Sequence, residues 1–380
     1  MEISKKYIIE NIRIKYWNVF LSTCTKQIMI ILNKNNKVQG YKLEQKILYF
    51  NTFLLGVCKL SKYVLFPKKQ NIITYQSELK SDILHNYVMN DNDFNKIMKI
   101  ILKTNYECTK QIKQYVQNIL VETINVNVQE DNNNIKLQIS HLQYPNIFKI
   151  TKNDYERLNK LFTGKEDVNM TICCLLTRYK YYGVVKEGIS LSAGDVYDFI
   201  KKYQYENSTL EAFAGTLNSN LPNYCSLFYD IEKYFGSKGS FLNLKLDDCK
   251  YNIIISNPPY ITNIMDLSSV YLSKFLDCNN SLVIVIIPDW RSSDEYNNDK
   301  QNQISINEHQ QVRQSTRYIG YYNLRVSKHF KYVMCVGDYA YYNFFQGTKK
   351  VIRDNTLFIV LANEHDGAEQ FKKYMLDKLK

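Results

Sequence analysis

The chain has 380 residues, 45% of them hydrophobic and 23% charged, which suits one large domain or two ordinary ones and argues against global disorder. Its net charge of +12 is uneven: residues 1–150 carry 21 Lys and Arg against 11 Asp and Glu, whereas residues 151–380 carry 28 against 26. Nine cysteines with no CxxC pair, and five histidines without ligand spacing beside them, argue against a structural zinc site and favour a reducing compartment.

The amino terminus, MEISKKYIIENIRIKYW, lacks the apolar core of a signal peptide. Residues 1–120 read as helices. Apolar residues recur at helical spacing through Ile8, Ile12, Ile14 and Trp17, and again from Tyr41 to Phe66. The run 47–66 is the best membrane candidate, but an Asn and two Lys within a barely sufficient span make it a buried amphipathic helix. Pro67 breaks the pattern and another helix follows around Asp93–Asn118. VETINVNVQ and NIKLQIS then alternate as strands about the turn EDNNN, which predicts a hairpin. A short helix follows in NDYERLNKLF, capped by Asn153 or Asp154. A basic, mainly helical domain is expected over 1–165, where a polyanion, and a nucleic acid above all, is the natural partner.

From about residue 170 helices and strands alternate. TICCLLTRYKYYGVV and AGDVYDFIKKY read as helices; STLEAFAG, YCSLF, YNIIIS, SLVIVIIP and TLFIVLAN read as short apolar strands. The pattern predicts a second domain, 166–380, of the α/β class, with a sheet covered on both faces and ligands at the carboxyl ends of its strands.

At one such end stands Asn257-Pro258-Pro259-Tyr260. An amine on a heteroaromatic ring is a weak nucleophile, because its lone pair is delocalised. A site that alkylates it must accept hydrogen bonds from its N–H groups. Asn257 offers its side-chain oxygen and Pro258 its carbonyl, whose direction the locked proline φ angles help to fix. Tyr260 offers a face for stacking, worth about 1–3 kcal/mol per base. Catalysis there is positioning and charge stabilisation, without a strong general base.

A cofactor is expected against the preceding strands. LEAFAG (210–215) ends a strand in small residues that allow close backbone approach. Asp230, after YCSLF, sits where a carboxylate grips ribose hydroxyls. YFGSKG (234–239) is a second close-approach loop, with Phe235 offered to an adenine. IPDWR (287–291) brings Trp290 and Arg291 to another carboxyl end, to stack on and neutralise a nucleotide.

In these blocks the chain resembles the cap-specific adenosine N6-methyltransferases related to the phosphorylated-CTD-interacting factor. The resemblance runs through LLTRYKYYGV (175–184), Glu187-Gly188, LEAFAGTLN (210–218), YCSLFYDIEKYFGSKG (224–239), SNPPY, IPDWR and NTLFIVLAN (355–363), about half of the chain. It implies a Rossmann-like core that transfers methyl from S-adenosylmethionine, leaving S-adenosylhomocysteine, to N6 of the adenosine beside an mRNA 7-methylguanosine cap, with no metal and no membrane. Asn257, Pro258, Pro259 and Tyr260 would hold the amine. Glu211, Phe213, Ala214, Gly215, Asn218, Asp230, Phe235, Gly236 and Ser237 would border the cofactor. Arg178, Asp289, Trp290, Arg291 and Arg325 would face the substrate.

The chain departs from that pattern in three ways. Tyr260 replaces the family's usual Phe. Nothing in the sequence reads as the family's WW module, so a short form without it is expected. Ile261-Thr262-Asn263 stands where the family has an acid on the cap side; the first acid there is Asp266, and Asp289 is assigned the balancing charge. Internal RNA adenines, DNA adenines, a protein glutamine amide, and a catalytically silent RNA-binding role remain open alternatives. The AT-rich composition, with 32 Tyr, fits a viral or protist enzyme of the cytoplasm, with the nucleus as the other setting.

Overall fold

The computed structural model describes residues 2–32, 37–58, 66–84, 89–119, 123–181, 189–191, 194–246, 250–306, 308–310, 319–337, 339–343, 348–352, 355–363 and 366–378. The chain divides into two compact units, Met1–Lys186 and Glu187–Lys380. The division therefore falls later than the expected 165/166, because α7 (Val168–Tyr181) packs along α1 (Glu2–Ile31) in the first unit. The Glu187-Gly188 block and the 59–65 part of the apolar run lie outside the described residues.

The first unit holds α1, α2 (Lys37–Val57), α3 (Lys69–Thr74), α4 (Gln76–Leu84) and α5 (Asp91–Asn118). In α5, Phe94, Ile97, Ile101, Thr104, Cys108 and Ile112 are buried at spacings of three and four, and Asn90 caps its start by accepting from Asp93 N–H. No described helix is long and apolar enough to cross a membrane. The hairpin forms as β1 (Val126–Asp131) and β2 (Asn134–Ile139), with Asn132 at φ 54° in the two-residue turn. A third strand, β3 (Asn146–Thr151), joins β2 and was not legible as a strand. The cap of α6 (Lys152–Leu161) is Thr151, whose hydroxyl accepts from Asp154 N–H at 3.1 Å, rather than Asn153 or Asp154.

The second unit is mixed α/β. Its main sheet runs β5 (Thr209–Glu211), β6 (Ile253–Ser256), β7 (Leu282–Pro288), β12 (Thr356–Ala362), β9 (Phe330–Val336), β8 (Gln303–Ile306). β5, β6 and β7 are parallel, and β8 is parallel to β9, but β12 is antiparallel to both of its neighbours. β4 (Ile189–Leu191), β10 (Tyr339–Asn343) and β11 (Thr348–Ile352) form a separate small sheet. The expected strand YCSLF is reduced to one bridge, Tyr224 beside Glu211.

Both faces of the main sheet are covered, which is why its strands are continuous apolar runs. Ile253, Ile255, Ile284, Ile286, Phe358 and Val360 pack against α8 (Gly194–Lys202) and α13 (Gly367–Lys378) through Phe199 and Phe371. Ile254, Val283, Val285, Leu357 and Ile359 point the other way, onto Leu272 and Phe275 of α10 (Thr262–Cys278) and Leu324 of α12 (Ile319–Arg325). The remaining helices are α9 (Tyr229–Glu232) and α11 (Ser293–Asp299). The described cysteines are all free thiols.

Candidate active site

The parallel register sets Glu211 beside Ile255 and Ser256 beside Val285, so β5, β6 and β7 release their following loops at one edge. Three of the blocks read from the sequence therefore meet there: the loop after Glu211, Asn257–Tyr260, and Asp289–Arg291.

Asn257 is partly exposed, Pro258 is buried, and Pro259 and Tyr260 are exposed. The Tyr260 hydroxyl donates to Asn257 Oδ1 at 3.2 Å. That oxygen thus works as an acceptor, and an amide oxygen has a second lone pair for another donor. Ile261 N–H closes a tight turn onto the Pro259 carbonyl at 2.6 Å, after which α10 begins with no side-chain cap at Ile261. Trp290 stands edge-on to Tyr260, ring centroids 6.2 Å apart at 73°. The two rings form an aromatic corner beside the Asn257 oxygen.

The loop after β5 is tied by its own side chains. Asn218 Oδ1 accepts from Gly215 N–H at 2.6 Å, and Glu232 accepts from Thr216 and Phe228 N–H at 2.8 and 2.9 Å. The amides that cradle pyrophosphate in dinucleotide-binding loops are occupied internally here, so the loop suits a ligand without phosphate. Glu232 is fully buried and was missed from the sequence: beside Lys233 it reads as part of a solvated face. Phe213, Ala214 and Asn218 are partly exposed, Gly215 is buried, and Asp230 is exposed at the start of α9 rather than at a strand end.

Glu211 is buried at the end of β5, both oxygens 3.1 Å from Asn220 N–H. Burial raises its carboxyl to about 7, against the hydrogen bonds from Tyr197, Asn220 and Leu221 that favour the carboxylate.

Several expected roles are corrected by burial. Phe235 is fully buried, so its ring is not offered to an adenine; its carbonyl instead accepts from the Tyr224 hydroxyl at 2.8 Å. Gly236 adopts φ 96° to end that short helical turn, a conformation that favours glycine, and Ser237 is buried with its hydroxyl 2.6 Å from that of Ser226.

Arg291 is likewise wholly buried. Its Nε and Nη2 donate to the two Asp289 oxygens at 2.8 and 3.0 Å, and Nη1 donates to Gln303 at 2.6 Å. Burial opposes its charge, the bonds and field of Asp289 outweigh burial, and the guanidinium pKa rises above its ordinary value. Arg291 is therefore a structural cation under the loop, and Asp289 is already neutralised rather than available to a methylated guanine. Asp299 continues the network to Tyr321 and to Arg325, whose Nε lies 2.8 Å away. Arg178 belongs to the first unit, buried in an ion pair with Glu10, which also binds Arg13.

Among the described residues, the ligating atoms of Asp289, Glu308 and Cys335 lie within 4.8 Å of one another. The Arg291 guanidinium already supplies positive charge there, and Glu308 accepts from Gln303 and Ser305, so the group reads as part of the ion network.

Residues 151–322 match the family model described as the phosphorylated CTD interacting factor 1 WW domain. That match overturns the expectation that nothing in the chain resembles the WW module. The chain is also similar to an mRNA (2'-O-methyladenosine-N(6)-)-methyltransferase of Mus musculus, 33% identical over 125 residues, and to that of Homo sapiens, 32% identical over 125 residues. Each likeness covers 32% of this chain and 17% of the relative. At this level the chain is related in part to methyltransferases that act on mRNA.

Proposed function

We propose that the protein is an S-adenosylmethionine-dependent RNA adenosine N6-methyltransferase with a Rossmann-like core in its second unit, acting at the cap-adjacent adenosine. The observation that carries the reading is the meeting of the Asn257 acceptor with the Tyr260–Trp290 corner at the carboxyl edge of three parallel strands. The partial likeness to methyltransferases named for N6 of an mRNA adenosine supports it.

The loop after β5 fits a phosphate-free nucleoside cofactor: Phe213, Ala214 and Asn218 would hold it, and the exposed Asp230 carboxylate would accept from ribose hydroxyls. S-adenosylmethionine supplies one electrophilic methyl group. Asn257 and the Pro258 carbonyl accept from the target amine and turn its nitrogen lone pair outward. Tyr260 and Trp290 hold the base plane and exclude water from one side of it. Because Arg291 and Asp289 neutralise each other, cap recognition would rest on aromatic stacking more than on an acid–cap charge pair.

The test uses labelled S-adenosylmethionine and two matched RNAs that begin with adenosine, one with a 7-methylguanosine cap and one with a 5′-triphosphate. The expected product is N6-methylation of the first adenosine of the capped RNA alone, falling about a hundredfold or more in Asn257→Ala. Equal labelling of both RNAs would remove the cap from the reading. Turnover unchanged in Asn257→Ala would remove that residue from its role.

A further inference from the structure

The first unit contains a cleft of about 680 Å³ among α1, the end of α5 and the loop after β2. Ile8 and Ile12 give it an apolar floor; Gln114 and Asn118 offer amides that can donate and accept; among the described residues no Asp or Glu lines it. Its rings come from both sides. Tyr115 on α5 is 45% exposed, and across the cleft His141 and Tyr144 stack at 5.4 Å and 19°. The loop is braced for this: Gln143 and Tyr144 N–H both donate to His141 Nδ1 at 3.1 Å. The neutral ring therefore carries its proton on Nε2, as a donor. Lys15 Nζ lies 5.8 Å from the Tyr115 ring centroid, a cation at the rim. Leu142, on the same lip, is 97% exposed.

We infer that this cleft binds an unpaired nucleobase of a single-stranded RNA. An apolar floor, an exposed Tyr115 beside a half-buried His141–Tyr144 stack, amides that match base edges and a rim lysine are the chemistry that stacks and reads such a base. The volume suits one nucleotide, and the excess of basic over acidic residues in 1–150 favours a polyanionic strand over a peptide. The inference rests on RNA as the partner of the proposed enzyme, and gives the first unit a base-binding task beyond phosphate contact.

The experiment measures anisotropy of a fluorescein-labelled, uncapped 12-nucleotide single strand, and of a duplex of equal length, with the full chain. Tyr115→Ala should weaken single-strand binding about tenfold and leave duplex binding unchanged. Tyr106→Ala, exposed on the same helix outside the cleft, should change neither. A 4-thiouridine strand should crosslink to the peptides carrying Tyr115 and His141. Equal loss for both RNAs, no loss in Tyr115→Ala, or crosslinks confined elsewhere would overturn the inference. Single-strand binding with this pattern but no methyl transfer to any RNA would sink the methyltransferase reading alone; methyl transfer with an unaffected Tyr115→Ala would sink the cleft alone.

Discussion

Glu211 illustrates how a single buried group at a strand end records its surroundings. Its carboxyl rises from 4.5 to about 7, so between those values the folded protein holds a proton that the unfolded chain has released. Stability from this group is therefore greatest below pH 4.5, declines as pH rises towards 7 and is flat above. The full change is about 3 kcal/mol. Urea midpoints at pH 5 and pH 8 should fall for the wild-type chain and fall less for Glu211→Gln; identical falls would show that Glu211 carries no such linkage. At this scale the sequence revealed residue types but not exposure. That Asn257, Tyr260 and Trp290 stand together was legible because all three follow apolar runs that read as neighbouring strands. Phe235 and Arg291 were misassigned because an aromatic or a cation serves a core as readily as a ligand, and only packing decides which.

The β7-to-α11 segment shows the same ambiguity spread over an element. Arg291 joins Asp289, Gln303 and Asp299 beneath Trp290, so the network fixes the loop that presents the aromatic corner. Arg291→Leu leaves the buried Asp289 carboxylate without its cation, while Asp299 keeps Arg325, and should cost about 3–5 kcal/mol in urea unfolding. Arg325→Leu removes a side chain that is 35% exposed from the same Asp299, and should cost about 1 kcal/mol or less. Similar losses in both would mean that burial is not what gives the pair its weight. β6, β7 and β12 were legible as apolar runs, and α8 and the hairpin as periodic or alternating patterns. β9, FKYVMCV, was not, because Lys331 and Tyr332 interrupt its run, and β3 was hidden by its exposed residues. The reversal of β12 was not legible at all, since an apolar run has no direction until its neighbours are known.

Over the whole molecule the charge is divided as the fold is, with most of the excess in the first unit. If that unit contacts phosphates, single-strand RNA affinity should drop about tenfold or more between about 50 and 200 mM salt. A flat response, read by the same anisotropy, would mean that the basic residues serve solubility alone. The placement of β12 carries a different consequence. It lies between β7 and β9, yet it leaves the ribosome after both of them. Until residues 356–362 emerge, β5, β6 and β7 form a half-sheet ending in an apolar edge from Leu282 to Ile287, with β8 and β9 waiting apart. Such an edge is a template for other chains. Synthesis of this sheet therefore passes through an interval of exposure that β12 closes.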